Sequence, residues 1–224
     1  VVIKVEKTAE QLYQQNQKQA AVKLLAQKLQ QDMSHLDWFL QLSGYLTAGG
    51  NLAQAEELLL KAKQLFPQAQ EIDYNLAVIY FMAGKKEQSQ QWLQNITDTK
   101  LASDVYYLMA KQFLQKRQVA QALAYALTAY EKNSHLDDNC LLVGDIFLQL
   151  KRFANAQDYY QRALTLKQSA PAYFKLALAE MVCGDSKFSQ HFQKAKQLDK
   201  SYFATHQQQL ADIERYLTTQ TKDE

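Results

Sequence analysis

The chain has 224 residues, 47% hydrophobic and 21% charged, with 25 Lys+Arg against 23 Asp+Glu for a formal net charge of +2. That balance suits a folded chain and lacks the basic excess of a nucleic-acid binder, so no nucleic-acid partner is expected. Six glycines and two prolines are too few for many strands and turns, and no apolar run approaches the roughly 18 residues of a membrane span.

Taken in chain order, the opening Val1-Val2-Ile3-Lys4 is too short an apolar run for a signal peptide. The first residue is Val1 and not methionine, which leaves open an upstream leader or domain. From Ala9 onward a small residue recurs: Ala9, Ser43, Ala77, Ala110, Gly144 and Ala177, at gaps of 34, 34, 33, 34 and 33. A second small series, Ala21, Ala55, Ser89, Ala122, Ala156 and Ser189, keeps the same gaps. Three residues after each member of the first series stands a large side chain, Leu12, Leu46, Tyr80, Phe113 or Phe147, until Glu180 breaks the rule. Self-similarity at this period is the mark of a repeat architecture.

Within each copy the apolar spacing is helical. Phe39, Leu42 and Leu46 follow i, i+3, i+7, as do Leu52, Ala55, Leu59 and Ala62. Between them Thr47-Ala48-Gly49-Gly50-Asn51 reads as a turn ended by a left-handed glycine, and Gly84 and Gly184 mark the same break later. The reading is two antiparallel helices per copy, with copies at about 2–35, 36–69, 70–102, 103–136, 137–169 and 170–199, all in one array over 1–224. Small residues sit where helix axes approach, and stacking buries what one hairpin cannot. Pro171 opens a first helix, where its missing N–H costs nothing. In the sixth copy Ala195 falls only 32 residues after Ala163, so the second helix is expected to run one residue short. Residues 201–218 carry Phe203, Leu210, Ile213 and Leu217 at helical intervals, an amphipathic helix that needs a surface to cover.

These residues resemble the tetratricopeptide repeat, with its W-x2-L-G-x2-Y, A-x3-F, alanine and proline pattern. One copy reads Phe39, Leu42, Ser43, Leu46, Ala55, Leu59, Ala62 and Pro67; a later one reads Val143, Gly144, Phe147, Ala156, Tyr160 and Ala163. The resemblance implies an all-α fold, a right-handed superhelical solenoid of antiparallel helix pairs, with 201–218 as a capping helix. It also implies a concave surface lined by first helices. Carried onto this chain, that stripe is Leu40, Tyr74, Val78, Phe81, Tyr107, Lys111, Leu114, Leu141, Asp145, Leu148, Phe174 and Leu178. Lys111 and Asp145 would give a bound segment its polar register. The slots that match the lysine, asparagine and arginine of the family's carboxylate clamp hold Leu40, Gly44, Asn75, Asp104 and Leu108 here, which disfavours that mode.

Little else carries chemistry. His35, His135, His191 and His206 are scattered, and Cys140 and Cys183 form no CxxC pair and read as two buried thiols. Asp37, Glu71, Asp104 and Asp138 recur at the starts of first helices, where acids favour the helix dipole and would also invite a basic ligand. No cofactor, metal or enzymatic activity is implied. The expected function is a protein-interaction scaffold or adaptor that takes an apolar or amphipathic peptide segment in its groove. The alternatives are a peptide-sensing regulatory module and a periplasmic or membrane-tethered assembly factor without its leader. A cytoplasmic location is the default, with no membrane insertion, a bacterial source and an open oligomeric state.

Overall fold

The computed structural model describes residues 8–220. Among them the ordered elements are helices only, and they divide into two compact units after Leu101. The opening Val1-Val2-Ile3-Lys4 lies outside the described residues. The first unit contains α1 (Ala9–Gln14), α2 (Lys18–Gln31), α3 (Leu36–Ala48), α4 (Leu52–Leu65), α5 (Gln70–Met82) and α6 (Lys86–Gln94), followed by a 3-10 turn at Thr99–Leu101. The second contains α7 (Ala102–Gln115), α8 (Val119–Lys132), α9 (Asp137–Gln149), α10 (Phe153–Leu166), α11 (Ala170–Val182), α12 (Phe188–Leu198) and α13 (Lys200–Gln220). In each unit a helix packs on the next as an antiparallel hairpin, and each hairpin packs on the following one.

The two small-residue series are buried as their spacing predicts, save one member. Ala9, Ser43, Ala77, Ala110, Gly144 and Ala177 lie at the contacts of the first helices, and Ala21, Ala55, Ser89, Ala122 and Ala156 face them from the second. A small side chain there lets helix axes approach closely. Ser89 also uses its hydroxyl, donating to the Ala77 carbonyl at 2.7 Å. The exception is Ser189, which is exposed, while Phe192 and Ala195 turn inward.

The cause is a one-residue slip in the turn before α12. In three other hairpins a large first-helix side chain meets a second-helix aromatic twelve positions on, stacked for Phe113–Tyr125 at 5.0 Å and tilted for Phe147–Tyr159 at 5.6 Å. Tyr80 likewise faces Trp92. In the last hairpin the partner of Glu180 is His191, eleven positions on, with 2.7 Å between Nδ1 and Oε2. The second helix is short as expected, 11 residues in α12 against 14 in α8 and in α10, and the register change falls at its start.

Each first helix ends in one motif. The N–H of the third residue past the helix donates back five residues, as in Asn51 to Leu46, Gln118 to Phe113 and Arg152 to Phe147. The residue before that donor is left-handed at every hairpin. Gly50, Gly84 and Gly184 fill this slot at no steric cost, and Asn16 fills it tolerably. Arg117 (φ 58°) and Lys151 (φ 57°) fill it in the other two, at a strain of about 1 kcal/mol each.

A buried polar staple joins the first two hairpins of the second unit. The Asn139 amide donates to the Ser103 hydroxyl (2.9 Å), the Ala129 carbonyl (3.2 Å) and the Asn133 carbonyl (2.8 Å), and Ser103 donates to Ala129 as well. Asn139→Ala is expected to cost about 1–2 kcal/mol, seen as a lower urea midpoint, because these carbonyls lose their partner inside the protein. An unchanged midpoint would show that the staple contributes nothing.

The last helix, α13, packs on α11 and α12 and buries Phe203, with half-buried Leu210 behind it. It performs the covering role expected of 201–218. The side chains of Ile213 and Leu217 lie outside the described residues.

Candidate functional site

The first helices of each unit present the stripe that the family resemblance assigns to a ligand. In the first unit Leu40 on α3 and Tyr74 and Val78 on α5 are half-buried, whereas Phe81 is buried. Gly44, one turn after Leu40, has open space where a side chain would stand.

In the second unit the stripe is fuller. Tyr107, Lys111 and Leu114 on α7 and Leu141, Asp145 and Leu148 on α9 are all half-buried. Their i, i+4, i+7 spacing puts each trio on one helix face. Tyr107, Leu114, Leu141 and Leu148 rest their inner sides on the unit's core and leave the outer sides open. Lys111 Nζ lies 5.5 Å from the centre of the Tyr107 ring. Burial, reinforced by the negative charge of Asp138, Asp145 and Asp137, pushes the Tyr107 phenol up to about 12. It therefore stays neutral through the physiological range and offers a ring edge with a hydroxyl donor.

Asp145 is the polar centre of this face. Lys175 Nζ lies 2.6 Å from each of its oxygens, and the Tyr160 hydroxyl donates to one of them at 2.9 Å. Tyr202 of α13 feels the same carboxylate: burial first and Asp145 second push its phenol up to about 12. The register role expected of Asp145 is thus an internal one, holding α9, α10 and α11 together. Lys175 and Tyr160 were not among the predicted site residues. The available signal was the pairing of a glycine, Gly144, with a tyrosine sixteen residues later. A Cβ at Gly144 would stand 2.5 Å from Tyr160 Cε1, so the ring reaches Asp145 only across a bare helix.

Phe174 and Leu178 are core residues and not part of an open stripe, being 0% and 2% exposed. Phe174 meets Phe192, Tyr202 and Phe203 edge-to-face at 5.3–6.0 Å. The packing of α13 beside α11 removes this end of the stripe from solvent.

The acidic series is uneven. Asp37, Glu71 and Asp138 are exposed, while burial raises the half-buried Asp104 carboxyl above its ordinary value. The histidines do separate jobs. His35 stacks on Trp38 at 4.0 Å and lies 3.2 Å from Asp32, and His206 stacks on Tyr202 at 3.9 Å. Cys140 is buried as expected, but Cys183 is exposed because it caps the end of α11. Among the described residues no group of His, Cys, Asp or Glu is placed to hold a metal, and no helix is long and apolar enough to cross a membrane.

Comparison with known proteins agrees with this geometry. The family model described as tetratricopeptide repeat matches residues 46–111. A chain from the crystal structure of the APC/C hetero-tetramer Cut9–Hcn1 is similar at 14% identity and a TM-score of 0.69, over 86% of this chain and 39% of that one. Pseudomonas aeruginosa pilF is similar at 18% identity and 0.64, over 90% and 94% of the two chains. YrrB, described as a TPR protein with an unusual peptide-binding site, is similar at 14% identity and 0.52, over 84% and 99%. No curated protein matches the sequence significantly. At these identities the likeness is one of fold. The matched stretch is a short run of a helix-hairpin pattern that the structure repeats on both sides of it, and the fold is that of the tetratricopeptide-repeat proteins it resembles.

Proposed function

We propose that this chain binds an apolar or amphipathic peptide segment of another protein on the first-helix face of its second unit. The tetratricopeptide fold is a protein-interaction scaffold and not an enzyme architecture, so a binding role is the starting point. The observation that carries the finer reading is the set Tyr107, Leu114, Leu141 and Leu148. These are large apolar side chains, supported from beneath by the core and open above, on two successive first helices. Rigid, partly desolvated anchors of this kind dominate binding energy where a partner covers them. Lys111 beside Tyr107 adds one cation to the strip. The description of YrrB as having an unusual peptide-binding site supports the reading by analogy of fold.

The test is selection of peptides from a displayed library against the wild-type chain, followed by affinity measurement with a Tyr107→Ala/Leu148→Ala variant. Loss of two anchors is expected to weaken binding by about tenfold or more, measured well below both melting temperatures and at unchanged helicity, since both side chains also pack on the core. Equal affinity for the two proteins would remove the site from this face. Phe174→Ala is no substitute, since that ring is core.

A further inference from the structure

We propose that the α7–α8 and α9–α10 turns form a docking edge for an anionic phospholipid surface. The proposal is independent of the groove and starts from the turn slot. Four of the six hairpins put glycine or asparagine in the left-handed position, and these two put Arg117 and Lys151 there. Each strained cation has a second cation beside it, Lys116 before Arg117 and Arg152 after Lys151. All four side chains are exposed. Because the hairpins stack in parallel within the unit, the two turns share one edge.

The placement is unfavourable twice over. A left-handed backbone disfavours any residue with a Cβ, and a cation at a helix N-terminus opposes the helix dipole. Helices α8 and α10 begin immediately after these turns. Neither has an acid in its first turn or a side-chain hydrogen bond at its cap. Backbone strain maintained at one repeated place points to a use for the side chains it displays.

The chemistry of the edge favours phospholipid over a polypeptide. Phosphate groups match both the four cations and the uncapped N–H groups at the two helix starts. Leu150, adjoining Lys151, is 39% exposed, and an apolar tip among cations suits the boundary between headgroups and acyl chains. Turn tips project outward, and a fluid flat surface receives projections, whereas a peptide ligand needs a concavity.

The experiment is co-sedimentation of the whole chain with vesicles of phosphatidylcholine alone and of equal parts phosphatidylcholine and phosphatidylserine. The wild type should bind the mixed vesicles, bind the neutral ones far less, and lose binding as salt is raised. Arg117→Gly/Lys151→Gly removes two cations and also relieves the strained turns. It should therefore keep or raise the melting temperature while weakening vesicle binding on the order of tenfold or more. That opposite movement separates a docking role from a folding role. Equal vesicle binding by the variant, or none by the wild type, would overturn the proposal. So would wild-type binding of polyglutamate or single-stranded RNA in preference to the mixed vesicles.

Discussion

Gly144→Ala is expected to destabilise the second unit by about 2–3 kcal/mol, although the same change in a helix interior ordinarily stabilises by about 0.5–1 kcal/mol. The sign is decided by Tyr160. Its ring carbons would stand 2.5, 2.7 and 3.0 Å from the new methyl, the first two closer than real contacts come. The ring has nowhere to go, because it is fully buried and its hydroxyl is tied to Asp145. Tyr160→Leu should relieve the clash, as Leu59 occupies the corresponding position opposite Ser43 in the first unit. Tyr160→Leu alone loses the ring and the hydrogen bond and should itself cost roughly 2–3 kcal/mol. The double variant should be no worse than Tyr160→Leu alone, a coupling of about 2 kcal/mol that urea melts of all four proteins would measure. Strict additivity would show that the close approach of α9 and α10 is not what selects glycine.

The second large effect concerns Glu180, which takes the place held by Tyr80, Phe113 and Phe147 in other hairpins. It is buried, with its partner His191 about a quarter exposed. Removing the partner by His191→Ala is expected to cost about 2–3 kcal/mol, at or below the usual range for such a loss because water still reaches the imidazole side. Glu180→Leu restores the apolar pattern of the repeat and is expected to lie within about 1 kcal/mol of wild type, since replacing a buried polar pair by apolar packing is often neutral. With Glu180→Leu in place, His191→Ala should lose most of its effect. Thermal melts decide this, and a Glu180→Leu variant as damaged as His191→Ala would mean the carboxylate has a role beyond the pair.

The repeat itself was legible because it rests on distances along the chain. Gaps of 33 and 34 between small residues locate helix contacts without any knowledge of partners, and the buried series from Ala9 to Ala177 follows them closely. Ser189 escaped for the same reason. The series treated every gap as fixed, while the physical constraint is which residue faces the first helix, and a spacing of eleven between Glu180 and His191 would have disclosed the slip. The stripe residues fared differently along the chain. Tyr107, Leu114, Leu141 and Leu148 kept an open side, but a repeat position says nothing about what lies beyond the last copy. Helix α13 covers Phe174, and Leu178 lies in the same core.

By itself the sequence determined the helices, their pairing and their period, since these follow from apolar spacing and side-chain size within about 34 residues. Only the tertiary structure decided which polar groups serve the protein's own packing. Asp145 meets Lys175 and Tyr160, and Asn139 bridges Ser103, Ala129 and Asn133. It also showed that Arg117 and Lys151 carry a left-handed backbone. The reason is that a hydrogen bond needs two groups brought together from different helices, and a turn's handedness depends on closing the hairpin; neither is encoded in the period of one strip of residues.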